Sequence, residues 1–171
     1  GITNGFRMGV NNDWVIPDLI SADPHYIPMT FVEKNAISDW ILKGLDKGYM
    51  SGPYTSPSKL PWKRLYCAPL FTVKKPIGYR PIVHLSWTRF NTRFSINDLL
   101  CEYMKTVKYI TFREVVNMVN NAGLGAFIFL IDAQDAYYRV PTHPSDWMYN
   151  GIKWGGYFWV FTSLQMGLSS S

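Results

Sequence analysis

The sequence predicts an α+β fold in which antiparallel hairpins pack with helices. Three observations carry that expectation. Pattern segments follow one another as helix, hairpin, helix, strand, hairpin, which is not the alternation of a parallel βαβ sheet. No Gly-rich phosphate loop opens either helix. The chain has 171 residues, 47% hydrophobic and 16% aromatic, enough for one domain with a core or one domain and a piece of another.

Residues 1–29 carry Asn11-Asn12-Asp13, Pro17, Pro24 and Pro28, and read as an irregular, partly extended arm. Thr30-Phe-Val-Glu33 has capping-box spacing, so a helix is expected over 31–47. Ile37, Trp40, Ile41 and Leu45 share its apolar face, Lys43 falls on its exposed face, and Gly48 can end it. Gly52-Pro53 and the cluster Thr55 to Lys59 read as a loop. Leu70–Lys75 and Tyr79–Leu85 read as strands joined by Pro76-Ile77-Gly78. Pro81 confines the second to an edge.

Thr88–Asn97 reads as a loop. Thr111-Phe-Arg-Glu114 is a second capping box, followed by Val115, Val116, Met118 and Val119, with Gly123 closing that helix. Gly125–Asp132 is an apolar run and is expected to be a buried strand. Pro144 opens a short helix. Ile152–Trp154 and Tyr157–Phe161, separated by Gly155-Gly156, read as a hairpin with a two-residue turn. Gln165–Ser169 begins a further loop and helix.

Two features point to chemistry. The first is Asp132 at the end of the apolar run, with Asp135, Tyr137 and Tyr138 just beyond it. A carboxylate at the end of a buried strand is how a two-metal nucleotidyl-transfer site holds a ligand in rigid backbone, and tyrosines can floor a nucleotide pocket. The second is charge. The net charge is +5, and between Asp46 and Asp98 stand nine bases and no acid. They are Lys47, Lys59, Lys63, Arg64, Lys74, Lys75, Arg80, Arg89 and Arg93, interleaved with Trp62, Tyr66, Phe71, Tyr79, Trp87, Phe90 and Phe94. Bases among aromatic rings suit a phosphate backbone and stacked bases.

Other classes find less support. Cys67 and Cys101 have no paired spacing, and His25, His84 and His143 have no metal-ligand spacing. No run reaches 18 apolar residues and no signal-peptide pattern opens the chain, so no membrane partner is expected. An intracellular, reducing compartment, cytoplasm or nucleus, is the expected setting. A first residue other than Met and an unpunctuated end suggest a piece of something longer.

In order along the chain, several segments resemble reverse transcriptases, RNA-directed DNA polymerases. They match most closely the DIRS-like tyrosine-recombinase retrotransposons, and more loosely retroviral and long-terminal-repeat elements. Gly48–Tyr54 resembles the lead-in segment. Ala68–Lys75 with Tyr79–Ser86 resembles the fingers hairpin, followed by Ser95–Asp98. Phe129–Pro141 resembles the first palm motif, and Gly151–Trp154 with Tyr157–Leu168 the palm hairpin running into the second. The resemblance covers roughly residues 48–171.

It implies a right-hand polymerase arrangement of fingers plus partial palm. Residues 1–50 would be an N-terminal arm and helix, 51–125 a fingers-like region, and 126–171 the first part of a truncated palm. It implies that Asp132 ligates Mg2+ and that Ala133 lends a backbone carbonyl. Asp135 and Ala136 would offer backbone N–H groups to a deoxynucleoside triphosphate, and Tyr137 would sit under its sugar and exclude a 2′-hydroxyl. Lys75 and Arg80 would hold the triphosphate, and Met166 would touch nucleotide and template. The implied partners are an RNA or DNA primer–template and deoxynucleoside triphosphates. A truncated palm would expose apolar surface and allow self-association.

The pattern also departs from the family. His84 stands where many relatives carry Asp, and Gln165-Met166-Gly167 replaces Pro-Phe-Gly or Pro-Gln-Gly. No Asp-Asp pair, the family's third motif, occurs in the sequence. The chain alone is therefore expected to be inactive. The other reading is a catalytically inactive, reverse-transcriptase-derived module for nucleic-acid binding or assembly.

Overall fold

The computed structural model describes residues 4–10, 28–62, 65–88, 95–101, 110–129 and 131–168. Lys63, Arg64, Arg89, Phe90, Arg93 and Phe94 of the basic stretch lie outside the described residues, as does most of the N-terminal arm. Helix α1 spans Phe31–Asp46. Both halves of its capping box form: Thr30 Oγ1 accepts from the Glu33 N–H at 3.3 Å, and Glu33 Oε2 accepts from the Thr30 N–H at 2.8 Å. Ile37 and Ile41 are buried, Trp40 and Leu45 pack partly against the same core, and Gly48 takes a φ of 72° just past the end.

Five strands form two antiparallel sheets: β1 (Met50–Tyr54), β2 (Leu70–Lys74), β3 (Tyr79–Val83), β4 (Gly151–Trp154) and β5 (Tyr157–Phe161). One sheet has the order β1-β5-β4, and the other is the β2–β3 hairpin. The β4–β5 turn is the expected one. Gly155 and Gly156 both have positive φ, 60° and 82°, which a side chain would resist. In β2–β3, Pro81 sits opposite Thr72 in a two-stranded sheet, where each strand is an edge.

Strand β1 corrects the sequence reading, which made Gly52-Pro53 part of a loop. The segment pairs with β5, Met50 with Phe161 and Tyr54 with Phe158, and the register shifts between Ser51 and Tyr54. An edge strand with a bulge tolerates a proline that a central strand would not.

The largest correction concerns the expected buried strand at 125–132. Among the described residues it forms no strand. Phe127 is 87% exposed and Ile131 91% exposed. Helix α2 (Phe112–Ala122) just before it has the predicted capping box and a Gly123 terminus, yet Val115, Val116, Met118 and Val119 are also exposed. The physical reason is common to both. Apolar periodicity states that a segment gains from burial, not that a partner stands beside it. A strand also needs neighbours for its N–H and C=O groups. No described strand lies alongside 126–132.

The main core gathers Met8 and Val10 with Ile37 and Ile41 of α1, Leu70, Val83, Leu85, Leu99, Ile152 and Phe161. The described start of the arm is thus part of the core. Its anchor is Asp146, 2% exposed, whose Oδ2 accepts from the Met8 N–H at 2.7 Å and pairs with Arg7 Nε at 3.1 Å. Asp146 lies in a 3₁₀ segment, Pro144–Tyr149, that begins at the predicted proline. No helix among the described residues is long and apolar enough to cross a membrane.

Candidate nucleotide-binding cleft

One open cleft of about 510 Å³ collects every candidate site residue: Lys75, Arg80, Asp132, Ala133, Asp135, Ala136, Tyr137 and Met166 all line it. Its walls come from four places. The β2–β3 hairpin supplies Lys75 at its turn and Arg80 on β3. The irregular segment 131–138 supplies the carboxylates and tyrosines, and the loop after β5 supplies Met166, whose sulfur the Arg80 guanidinium contacts.

The fourth wall is α1. Trp40, Lys43 and Lys47 line the cleft, together with Tyr49 just beyond the helix. The sequence reading did not make this wall part of the site: it placed Lys43 on the exposed face of the helix and counted Lys47 only among the nine bases. Lys43 is exposed, but into the cleft mouth. A signal existed: Trp40, Lys43 and Lys47 recur at i, i+3 and i+7, one stripe of a helix.

The 132–139 segment owes its shape to local hydrogen bonds and to contacts with the end of α1 rather than to a sheet. Asp135 has a φ of 56°, the one non-glycine residue with positive φ among the described residues. Asp tolerates this left-handed region better than most side chains do. Ala136 returns to right-handed helical angles, φ −48° and ψ −48°, and one 3₁₀ turn, Tyr137–Arg139, follows. A left-handed residue followed by right-handed ones aims successive N–H groups into one concavity, a common anion cradle.

The turn is held on both sides. Arg139 Nε donates to the Gln134 carbonyl at 3.0 Å, and Lys47 Nζ lies 2.7 Å from Asp135 Oδ2. That hydrogen bond holds the Asp135 carboxyl below its ordinary range and pushes the Lys47 ammonium up. Behind the turn, Tyr138 stacks on Tyr49 at 5.4 Å and on Phe161 at 6.3 Å between ring centroids. Tyr137 stays more than a third exposed on the cleft side.

Lys43, Lys75 and Arg80 bring positive charge to the cleft, while Asp135 is matched by Lys47, leaving Asp132 as the exposed second carboxylate. Among the described residues no group of three or more His, Cys, Asp or Glu side chains could hold a metal ion. Magnesium is commonly held by one or two carboxylates plus substrate phosphates. With one unmatched carboxylate, the described residues do not fit a pair of ions held by protein alone.

No family model and no curated protein matches the chain. Solved structures do. The native crystal structure of the prototype foamy virus protease–reverse transcriptase superposes with a TM-score of 0.54 and 19% identity, over 84% of this chain and 16% of that one. A selenomethionine-labelled mutant of that protein gives 0.55 and 17%, over 98% and 18%. The foamy viral protease–reverse transcriptase in complex with double-stranded DNA gives 0.52 and 18%, over 91% and 30%.

The fold is reverse-transcriptase-like. At such identities the likeness concerns the fold, and this chain spans less than a third of the length of each of those proteins. The mixed helix-and-hairpin architecture agrees with the α+β class expected from sequence.

Proposed function

We propose that this chain is the nucleotide- and template-binding part of an RNA-directed DNA polymerase of a DIRS-like retrotransposon, comprising fingers and the first part of a palm. The observation that supports this most is the single cleft. The hairpin bases meet, at one place, a carboxylate and an anion-cradling turn supplied by a single segment far along the sequence. In this reading Lys75 and Arg80 hold the phosphates, the Asp135 and Ala136 N–H groups face them, and Ala133 lends its carbonyl beside Asp132. Tyr137 underlies the sugar, and Met166 borders the base. A magnesium ion bound at Asp132 with the triphosphate would neutralise phosphate charge. Double-stranded DNA bound to a foamy viral relative is consistent with a primer–template partner here. The exposed apolar side chains of α2 and of Phe127, Ile128, Phe129 and Ile131 leave room for self-association.

A second reading, a binding module that does not turn over, is favoured by the carboxylate count. With Asp135 matched by Lys47 and no Asp-Asp pair in the sequence, nucleotidyl transfer lacks ligands for a second metal. The test is deoxynucleoside triphosphate binding with and without magnesium, in the native chain and in Asp132→Asn. Magnesium-dependent binding lost in Asp132→Asn supports the nucleotide site. Absence of binding in the native chain would refute it. Primer extension by the isolated chain would refute the second reading.

A further inference from the structure

We propose that Lys47 is a positioning residue for the phosphate end of this cleft, clamping the Asp135 carboxylate so that the turn keeps its anion-cradling shape. The inference rests on the nucleotide-binding reading and adds to it a residue that lies outside the stretch carrying the sequence resemblance.

The geometry behind it is specific. Lys47 caps the carboxyl end of α1, and its Nζ reaches Asp135 Oδ2 at 2.7 Å across 88 residues of sequence. The ammonium also lies 5.7 Å from the centroid of the Tyr49 ring, and Tyr49 is stacked on Tyr138, three residues beyond Asp135. The helix end therefore grips the segment twice, once by charge and once through the ring stack. Arg139 holds the opposite side of the turn at the Gln134 carbonyl.

The clamp has two consequences. It favours the left-handed φ of 56° at Asp135, a conformation that costs a non-glycine residue energy unless its surroundings fix it. It also matches a carboxylate that would otherwise repel a triphosphate. Lys43 lines the same cleft and acts on Asp135 only through its charge, without the hydrogen bond that Lys47 makes.

The test is a double-mutant cycle in the whole chain with Mg–dTTP as the probe, together with amide hydrogen exchange over residues 132–139. Lys47→Met should weaken dTTP binding about tenfold and speed exchange in that segment, with no change over β2–β3, while Lys47→Arg stays within about twofold of native. In an Asp135→Asn background, Lys47→Met should have less than about a twofold further effect, because the clamp is already gone. A tenfold loss that persists in that background would show direct phosphate contact and overturn the positioning role. So would unchanged exchange in Lys47→Met. If the native chain binds no dTTP, the nucleotide reading fails, and exchange alone decides the clamp.

Discussion

Asp132 and Cys67 show how far a residue's surroundings decide its chemistry. Asp132 sits in an exposed irregular segment, so replacing it by Asn removes charge without opening a cavity. Asp132→Asn should leave the melting temperature within about 2 °C of native, a shift typical of surface substitutions of under about 0.5 kcal/mol. Unfolding of this variant in a thermal scan would make the carboxylate structural. Cys67 is the opposite case. Burial pushes its thiol up to about 12, so the nucleophilic thiolate is scarce at neutral pH. At pH 8 a maleimide should label the half-exposed Cys101 and leave Cys67 untouched until denaturant is added, as peptide mass mapping would reveal.

Elements were legible where their signals are local. Thr30 with Glu33 and Thr111 with Glu114 announced two helix starts, and Gly155-Gly156 announced a hairpin, because caps and tight turns are decided within a few residues. Strand β1 and the failed strand at 126–132 were not legible, because pairing depends on a distant neighbour: Phe161 and Phe158 for β1, and no described strand for 126–132.

Glu33 adds a long-range bond to its local one, since its Oε1 accepts from Thr72 Oγ1 of β2 at 2.8 Å. Hydrogen bonds from the Thr30 hydroxyl and N–H, then from Thr72, hold its carboxyl below the usual range. A carboxyl lowered by folding contributes stability above its unfolded pKa, and that contribution fades as pH falls through the folded value. The melting-temperature advantage of native over Glu33→Gln should thus be full at pH 7 and shrink below about pH 4.5. An advantage that grows with acid would contradict this account.

On the β2–β3 hairpin, Lys75→Ala and Arg80→Ala should each weaken triphosphate binding by about 1.5–3 kcal/mol, the worth of a charge-assisted contact. Lys34→Ala, on α1 away from the cleft, should not. Isothermal titration would separate them, and equal effects at all three positions would count against the hairpin's role.

Taken whole, the residues singled out for the site fall together, while the scaffold around them departs in places from the sequence reading. The eight residues chosen on motif resemblance and charge do line one cleft, although the described residues form no strand leading to Asp132. The α1 wall was missed because Trp40 reads as core and Lys43 as an ordinary solvated lysine until the helix is docked, and Lys47 was read only as part of a basic stretch. The arm was read as peripheral because nothing local reports that Met8 and Val10 reach the core.

The positive excess also acts at the scale of the molecule. Primer–template affinity should fall steeply as salt rises, since each phosphate neutralised releases counterions. A flat response across a salt series would exclude a phosphate-backbone mode. The most direct test of the central claim is a backbone-amide NMR titration of the native chain with Mg–dTTP. The account predicts shifts concentrated at Lys75–Arg80, Asp132–Tyr137 and Met166. Saturating nucleotide that leaves those amides unmoved, or that moves a different surface, would contradict it.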